Sequence, residues 1–268
     1  MRTDAAGYVG AMNNDDAISA CAAHVERGDP DRFLAVMAAP PPERAGLFAL
    51  YAFNLEVARA PWVTQESILS QMRLQFWRDL VQREAPPSHE FAPPLMALVD
   101  ERHLDINELL RVIDAREVEI GTKTPFADHA ALWRYFEDGA GALLGLAVQA
   151  LGGPSAHHDV VALGSAQGLA NYLLAIPALE EAGRHPLPDG RPEAIATLAV
   201  EGLARMDAAR LGLRNVPKSA RPALLATWRT RAILTQAAKA PERVAQGALG
   251  QSEFARRGSL LWRAFWGV

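Results

Sequence analysis

The chain has 268 residues, half of them hydrophobic and 22% charged, with a formal net charge of −4. That length and apolar content fit one large domain with a substantial core and exclude a disordered chain. The mildly acidic balance leaves no electrostatic footprint for nucleic acid, and the single cysteine, Cys21, excludes an internal disulfide and suits a reducing cytoplasm.

The opening stretch MRTDAAGYVGAMNNDD has neither an apolar signal core nor the Arg/Ser-rich character of a transit peptide. Residues 1–28 are therefore expected to be a flexible tail leading into the start of a first helix, with the main domain over 29–268. No apolar run reaches the roughly 18 residues that span a bilayer. Pro40–Pro42 lead into a helix from about Glu43 to Ala60, which Pro61 ends. A second runs from about Gln65 to Arg83 and stops before Pro86–Pro87. Asp105 reads as an N-cap with Glu108 three residues on; Ile106, Leu109, Leu110 and Ile113 form the apolar face, and Gly121 closes the segment. A long helix is expected from about Asp128 to Leu151, before Gly152–Gly153–Pro154. Another spans about Ala156 to Ile176, where Pro177 breaks it. HPLPDGRP at 185–192 is a loop, and helical patterns resume over about 192–213, 220–239 and 253–266. With period-two strands missing, the fold class is all-α: a single-domain helical bundle.

The ionisable pairs that could carry chemistry are weak. Asp15 and Asp16 are expected to be solvated, Glu101 and Asp105 straddle a helix boundary, and Asp189 and Glu193 fall in a loop. Glu180 and Glu181 are adjacent and face different ways. His157–His158–Asp159 read as the first turn of a helix rather than as metal ligands. Cys21 has no neighbouring base in sequence and reads as a packed residue.

Two segments carry a family resemblance. Arg44 with Leu50–Tyr51–Ala52–Phe53, and the frame Gly168–Leu169–Ala170–Asn171–Tyr172–Leu173–Leu174–Ala175–Ile176 followed by Leu187–Pro188, resemble the squalene/phytoene synthase family. The resemblance implies an isoprenoid-synthase-type bundle around a central cavity, with small residues such as Gly139–Ala140–Gly141 letting long helices approach. It also implies two Asp-x-x-x-Asp motifs that hold Mg²⁺ against a prenyl diphosphate, because the metal must bridge phosphate to carboxylate. No Asp-x-x-x-Asp occurs anywhere in the chain. The first motif falls on Ala58, Arg59 and about Trp62, and the second near Leu179 and Gly183. MRLQFW (72–77), Asn54, Glu56, Asp114–Glu117 and Ala166–Gly168 are closest to the branch of this family that assists assembly of respiratory complex I.

By that resemblance the protein is a non-catalytic assembly or chaperone factor whose partner is a subunit or assembly intermediate of NADH:quinone oxidoreductase. No cofactor is expected; Mg²⁺ enters only under the alternative of a prenyl diphosphate transferase. A further alternative is a carrier that holds an isoprenoid or quinone tail unreacted. The expected location is cytoplasmic or peripheral on the inner membrane. Arg44, Tyr51, Asn54, Glu56, Arg73, Gln75, Arg78, Gln167 and Asn171 are the candidates for the cavity or a ligand, and a Glu56–Arg73 ion pair could replace the metal cluster. At the C-terminus Phe254, Leu261, Trp262, Phe265 and Trp266 cluster on one side of a helical wheel, with Arg256 and Arg263 nearly opposite. This suits an interfacial membrane helix, a partner face, or a last helix docked on its own bundle.

Overall fold

The computed structural model describes residues 14–64, 66–154 and 157–266, and no strand occurs among them. Helix α1 (Asn14–Gly28) packs along α3 (Pro41–Arg59) and buries Cys21 and Val25 completely. Residues 14–28, expected as tail and helix start, are thus part of the bundle. Cys21 is a packed core residue, its thiol pushed up to about 12 by burial. Helix α2 (Pro30–Met37) is capped by Asp29, whose carboxylate accepts from the Arg32 N–H at 2.9 Å. Pro30 stands in the first turn, where its missing N–H has no partner to lose.

Helices α4 (Ser67–Val81) and α5 (Ala92–Arg102) follow, then α6 (Ile106–Asp114) and a 3-10 turn over 115–119. Asp105 caps α6 through the Asn107 N–H, while Glu108 pairs with Arg111 instead of completing a capping box. Gly121 adopts φ 71° beyond that turn. The expected helix over 128–151 is interrupted: α7 (His129–Phe136) passes through a π turn at 137–141 into α8 (Ala142–Ala150).

Helix α9 (His158–Glu181) is the centre of the bundle and packs against the π turn, α8, α10 (Pro192–Ala209) and α11 (Thr230–Lys239). This central place explains its apolar sides. Pro177 does not end it; the helix runs on to Glu181. By length and composition α9 is also long enough to cross a bilayer, which corrects the expectation that no segment is; yet 61% of its most apolar window is buried inside the bundle. The pattern expected as one helix over 220–239 is split into a 3-10 segment at 221–227 and α11. Short α12 (Glu242–Ala245) and α13 (Glu253–Trp266) are the last described helices. Leu260 of α13 is buried against Ala35, Leu225 and Trp228, apart from the main core.

Candidate functional site

Where α1 meets α2, a cavity of about 380 Å³ opens between that junction, α3, the π turn and α9. Leu55, Ala58, Phe136, Ala140, Leu143, Gly168 and Ala175 give it an apolar wall. Asp29, Arg32, Asn54, Arg116, Tyr135, Asn171 and Tyr172 supply the polar groups. A neighbouring pocket of about 290 Å³ shares Asp29, Arg32 and Asn171 and adds Gln167 and Arg229.

The cations on this wall are side chains already tied to the protein. Arg32 is 7% exposed; it pairs with Asp29 at 3.2 Å, and its guanidinium carbon lies 4.8 Å from the centre of the Tyr51 ring. The ring face offsets part of the cost of burying that charge. Burial pushes the Tyr51 phenol up to about 12. Arg116 lies over Tyr135 at 5.2 Å, donates to its hydroxyl, and stands 3.5 Å from Glu119. Burial raises the Glu119 carboxyl above its usual range, and the Arg116 cation and a Tyr135 hydrogen bond pull it partly back.

These residues do not fit the metal that the resemblance implies. Mg²⁺ demands octahedral oxygen coordination, and in such sites carboxylates anchor it to the protein. Among the described residues Asp29 is the one carboxylate lining the central cavity, and it is spent: one oxygen caps α2 and the other pairs with Arg32. Among the described residues no group of three His, Cys, Asp or Glu gathers that could hold a metal ion.

Of the expected residues, Asn54 and Asn171 reach the cavity wall, and Tyr51 lies beneath Arg32. Gln167 lines the neighbouring pocket and donates to the Ala226 carbonyl at 2.6 Å. Arg44 donates to the Ala39 carbonyl and pins the turn between α2 and α3. Arg78 bridges α4 to Asp114 and Glu117 at 2.7 and 2.6 Å, and exposed Gln75 donates to Asp79. The Glu56–Arg73 pair does not form. Glu56 instead stands 3.0 Å from His24, 3.7 Å from His89 and 3.7 Å from Arg59, because α1 and the loop before α5 pack closer to it than Arg73 does. Arg73 and Glu56 only share the rim of an outer groove. On α13, Leu261 and Trp262 are exposed and Arg256 reaches Asp31 at 3.3 Å; the side chains of Phe254, Phe265 and Trp266 lie outside the described residues.

Where the resemblance places acids, other groups stand. Ala58 shows the cavity a methyl group, and the Arg184 guanidinium lies 3.9 Å from the centre of the Trp62 ring. Leu179 packs against the core and Gly183 turns the chain at φ 74°. Sequence reasoning missed Arg32, Arg116, Glu119 and Tyr135. Arg116 lies in the Asp114–Glu117 stretch that carried the resemblance but was not taken as a cavity residue, and it stands three residues before Glu119.

A family profile described as squalene/phytoene synthase matches residues 25–190. Human NADH dehydrogenase (ubiquinone) complex I, assembly factor 6, is 30% identical over 162 residues, which is 59% of this chain and 48% of that protein. The Drosophila melanogaster homolog is 34% identical over 183 residues, 63% of this chain and 52% of its own length. The chain spans about half the length of these relatives. A ligand-bound dehydrosqualene synthase superposes with a TM-score of 0.77 at 13% identity, covering 94% of this chain and 97% of its own. A squalene synthase from Alicyclobacillus acidocaldarius does so with a TM-score of 0.69 at 17% identity, covering 89% and 97%. At such identities the structural likeness establishes the isoprenoid-synthase-type fold alone. Profile and fold agree, and the chain belongs to the squalene/phytoene synthase family.

Proposed function

We propose that this protein is a non-catalytic member of its family that assists assembly of respiratory complex I. The observation that carries the non-catalytic half is the cavity wall, whose single carboxylate, Asp29, is already committed to a helix cap and to Arg32. Ionising a prenyl diphosphate needs metal ions held by several carboxylates, and this wall offers no such set. The assembly half rests on relatives named complex I assembly factor 6. Its place of work in this reading is the cytoplasm, at the inner membrane that holds the complex.

Two measurements test the reading. Purified, folded protein is offered labelled farnesyl and geranylgeranyl diphosphate with Mg²⁺ titrated; no diphosphate release is expected, and Mg²⁺-dependent release overturns the non-catalytic half. A deletion strain is expected to lose respiratory NADH oxidation and assembled complex I, and normal levels of both overturn the assembly half. The retained cavity of about 380 Å³ favours a second reading, a carrier for an isoprenoid or quinone tail. Co-purifying lipid identified by mass spectrometry would support it, and a consistently empty cavity would refute it.

A further inference from the structure

A separate pocket of about 330 Å³ opens where the turn after α3, the first turns of α4, the loop at 121–123 and the end of α9 meet. It shares no wall residue with the central cavity. Lys123 and Arg184 line it together with the hydroxyl residues Thr64, Ser67, Ser70 and Thr122, and no carboxylate does. Glu66 and Glu181 are neighbours in sequence but stand off that wall. In a chain of net charge −4, two cations and no acid line this pocket, while the buried Glu119 carboxyl acts on Arg184 from behind the wall.

The pocket is preorganised. The Arg184 guanidinium carbon lies over the Trp62 ring, 3.9 Å from its centre, and the group donates one N–H to the Glu119 carbonyl at 2.9 Å, which leaves it further donors. Lys123 has no ion-pair partner among the described residues, while its carbonyl accepts from His185 at 2.8 Å and ties the two loops together. At Gly121, whose φ is 71°, a Cβ would stand 2.9 Å from the Ser67 hydroxyl oxygen, so a side chain there would be strained and would push that hydroxyl aside. A held guanidinium, an exposed ammonium and four hydroxyls around one space match the oxygens of a phosphate.

Beside the pocket stands an apolar ridge. Five of the eleven exposed large apolar side chains among the described residues are Trp62, Val63, Ile68, Leu69 and Met72. Such clustering marks an interaction surface. We propose that this pocket binds a phosphate group, and that the adjoining ridge makes the headgroup of an anionic phospholipid the source this surface favours. The phosphate sits between Lys123 and Arg184 while the ridge enters the apolar boundary of the bilayer. This inference does not rest on the assembly reading.

The test uses the full chain in co-sedimentation with phosphatidylglycerol vesicles and with pure phosphatidylcholine vesicles, with inorganic phosphate as a competitor. Binding to the anionic vesicles only is expected. Lys123→Gln and Ser67→Asp should each weaken it about fivefold, the effect of one unit of charge near an anionic surface. Ser67→Asp places its acid in the first turn of α4, where acids favour the helix, so loss of fold does not confound it. Displacement by inorganic phosphate assigns a free ion as well as a headgroup; no displacement assigns the lipid alone. Absence of binding to anionic vesicles and to phosphate overturns the proposal, and so does vesicle binding that neither substitution weakens.

Discussion

Gly164→Ala tests whether the close crossing of α9 over the π turn sets the architecture of the cavity. A Cβ at Gly164 would lie 2.7 Å from the Ala140 carbonyl oxygen, 2.8 Å from the Gly141 Cα and 3.0 Å from the Leu144 Cβ. Carbon atoms pack best at about 3.5–4 Å, so the crossing must open by most of an ångström. Two of those three atoms are backbone and cannot rotate aside. Overpacking of this kind costs about 1–3 kcal/mol, and alanine returns up to ~1 kcal/mol of helix propensity over glycine. The net loss is about 1–2 kcal/mol, or about 2–8 °C in Tm for a protein of this size. Gly145→Ala is the matched control. Gly145 is equally helical and buried, but its Cβ would meet nothing within 4 Å. That substitution should raise Tm by about 2–4 °C, from up to ~1 kcal/mol of helix propensity. Far-UV circular dichroism melts of the three proteins decide the matter. If Gly164→Ala melts at or above the parent, or if both substitutions shift Tm in the same direction, the close-crossing argument is wrong.

Other outcomes follow from the site. Burial holds the His24 imidazole below its ordinary 6.5 against the pull of Glu56 at 3.0 Å, so the folded state resists a proton that the unfolded chain accepts. Stability should fall as pH drops from about 6.5 toward the lower folded value and level off below it. Urea titrations across that window should show the slope, and an unchanged slope in His24→Gln would remove His24 as its source. Arg32→Met leaves Asp29 without its cation in a mostly buried place and strips the contact with Tyr51, so a stability loss of about 2–3 kcal/mol is expected. A loss below ~1 kcal/mol in denaturant unfolding would contradict the compensation assigned to that pair. Ala58→Asp returns a carboxylate to the cavity wall but should restore no Mg²⁺-dependent diphosphate release, since Leu179 and Gly183 offer nothing opposite. Detectable release would show that one acid suffices.

The helices that proline and glycine bracket were legible: α3, α4 and α10 start or stop within a few residues of the expected ends. Helices α2 and α5 were not, because Pro30 and Pro93 look like breaks yet occupy first turns, where no N–H bond is lost. Pro177 misled in the opposite direction, since α9 carries it four residues before its end. The loss of both acid motifs could be read directly, and it fixed the polarity of the site. The identity of the wall could not. Arg32, Asn54, Arg116, Tyr135 and Asn171 come from five separate segments, and only their packing brings them to one space. Arg73, Gln75 and Arg78 do not line the central cavity: Arg73 lines an outer groove, Gln75 bonds Asp79, and Arg78 bonds Asp114 and Glu117.

The pairing of Trp62 with Arg184 has an evolutionary consequence. Placing the family's acids at these positions cannot proceed one substitution at a time without loss of stability. Aspartate at 62 removes the ring on which Arg184 lies, aspartate at 179 pulls an apolar side chain off the core, and any side chain at 183 must accept a left-handed φ of 74°. Each step lowers stability before a metal ion has enough ligands to restore it. The packing at these three positions therefore acts as a ratchet against acquiring acids there, one substitution at a time.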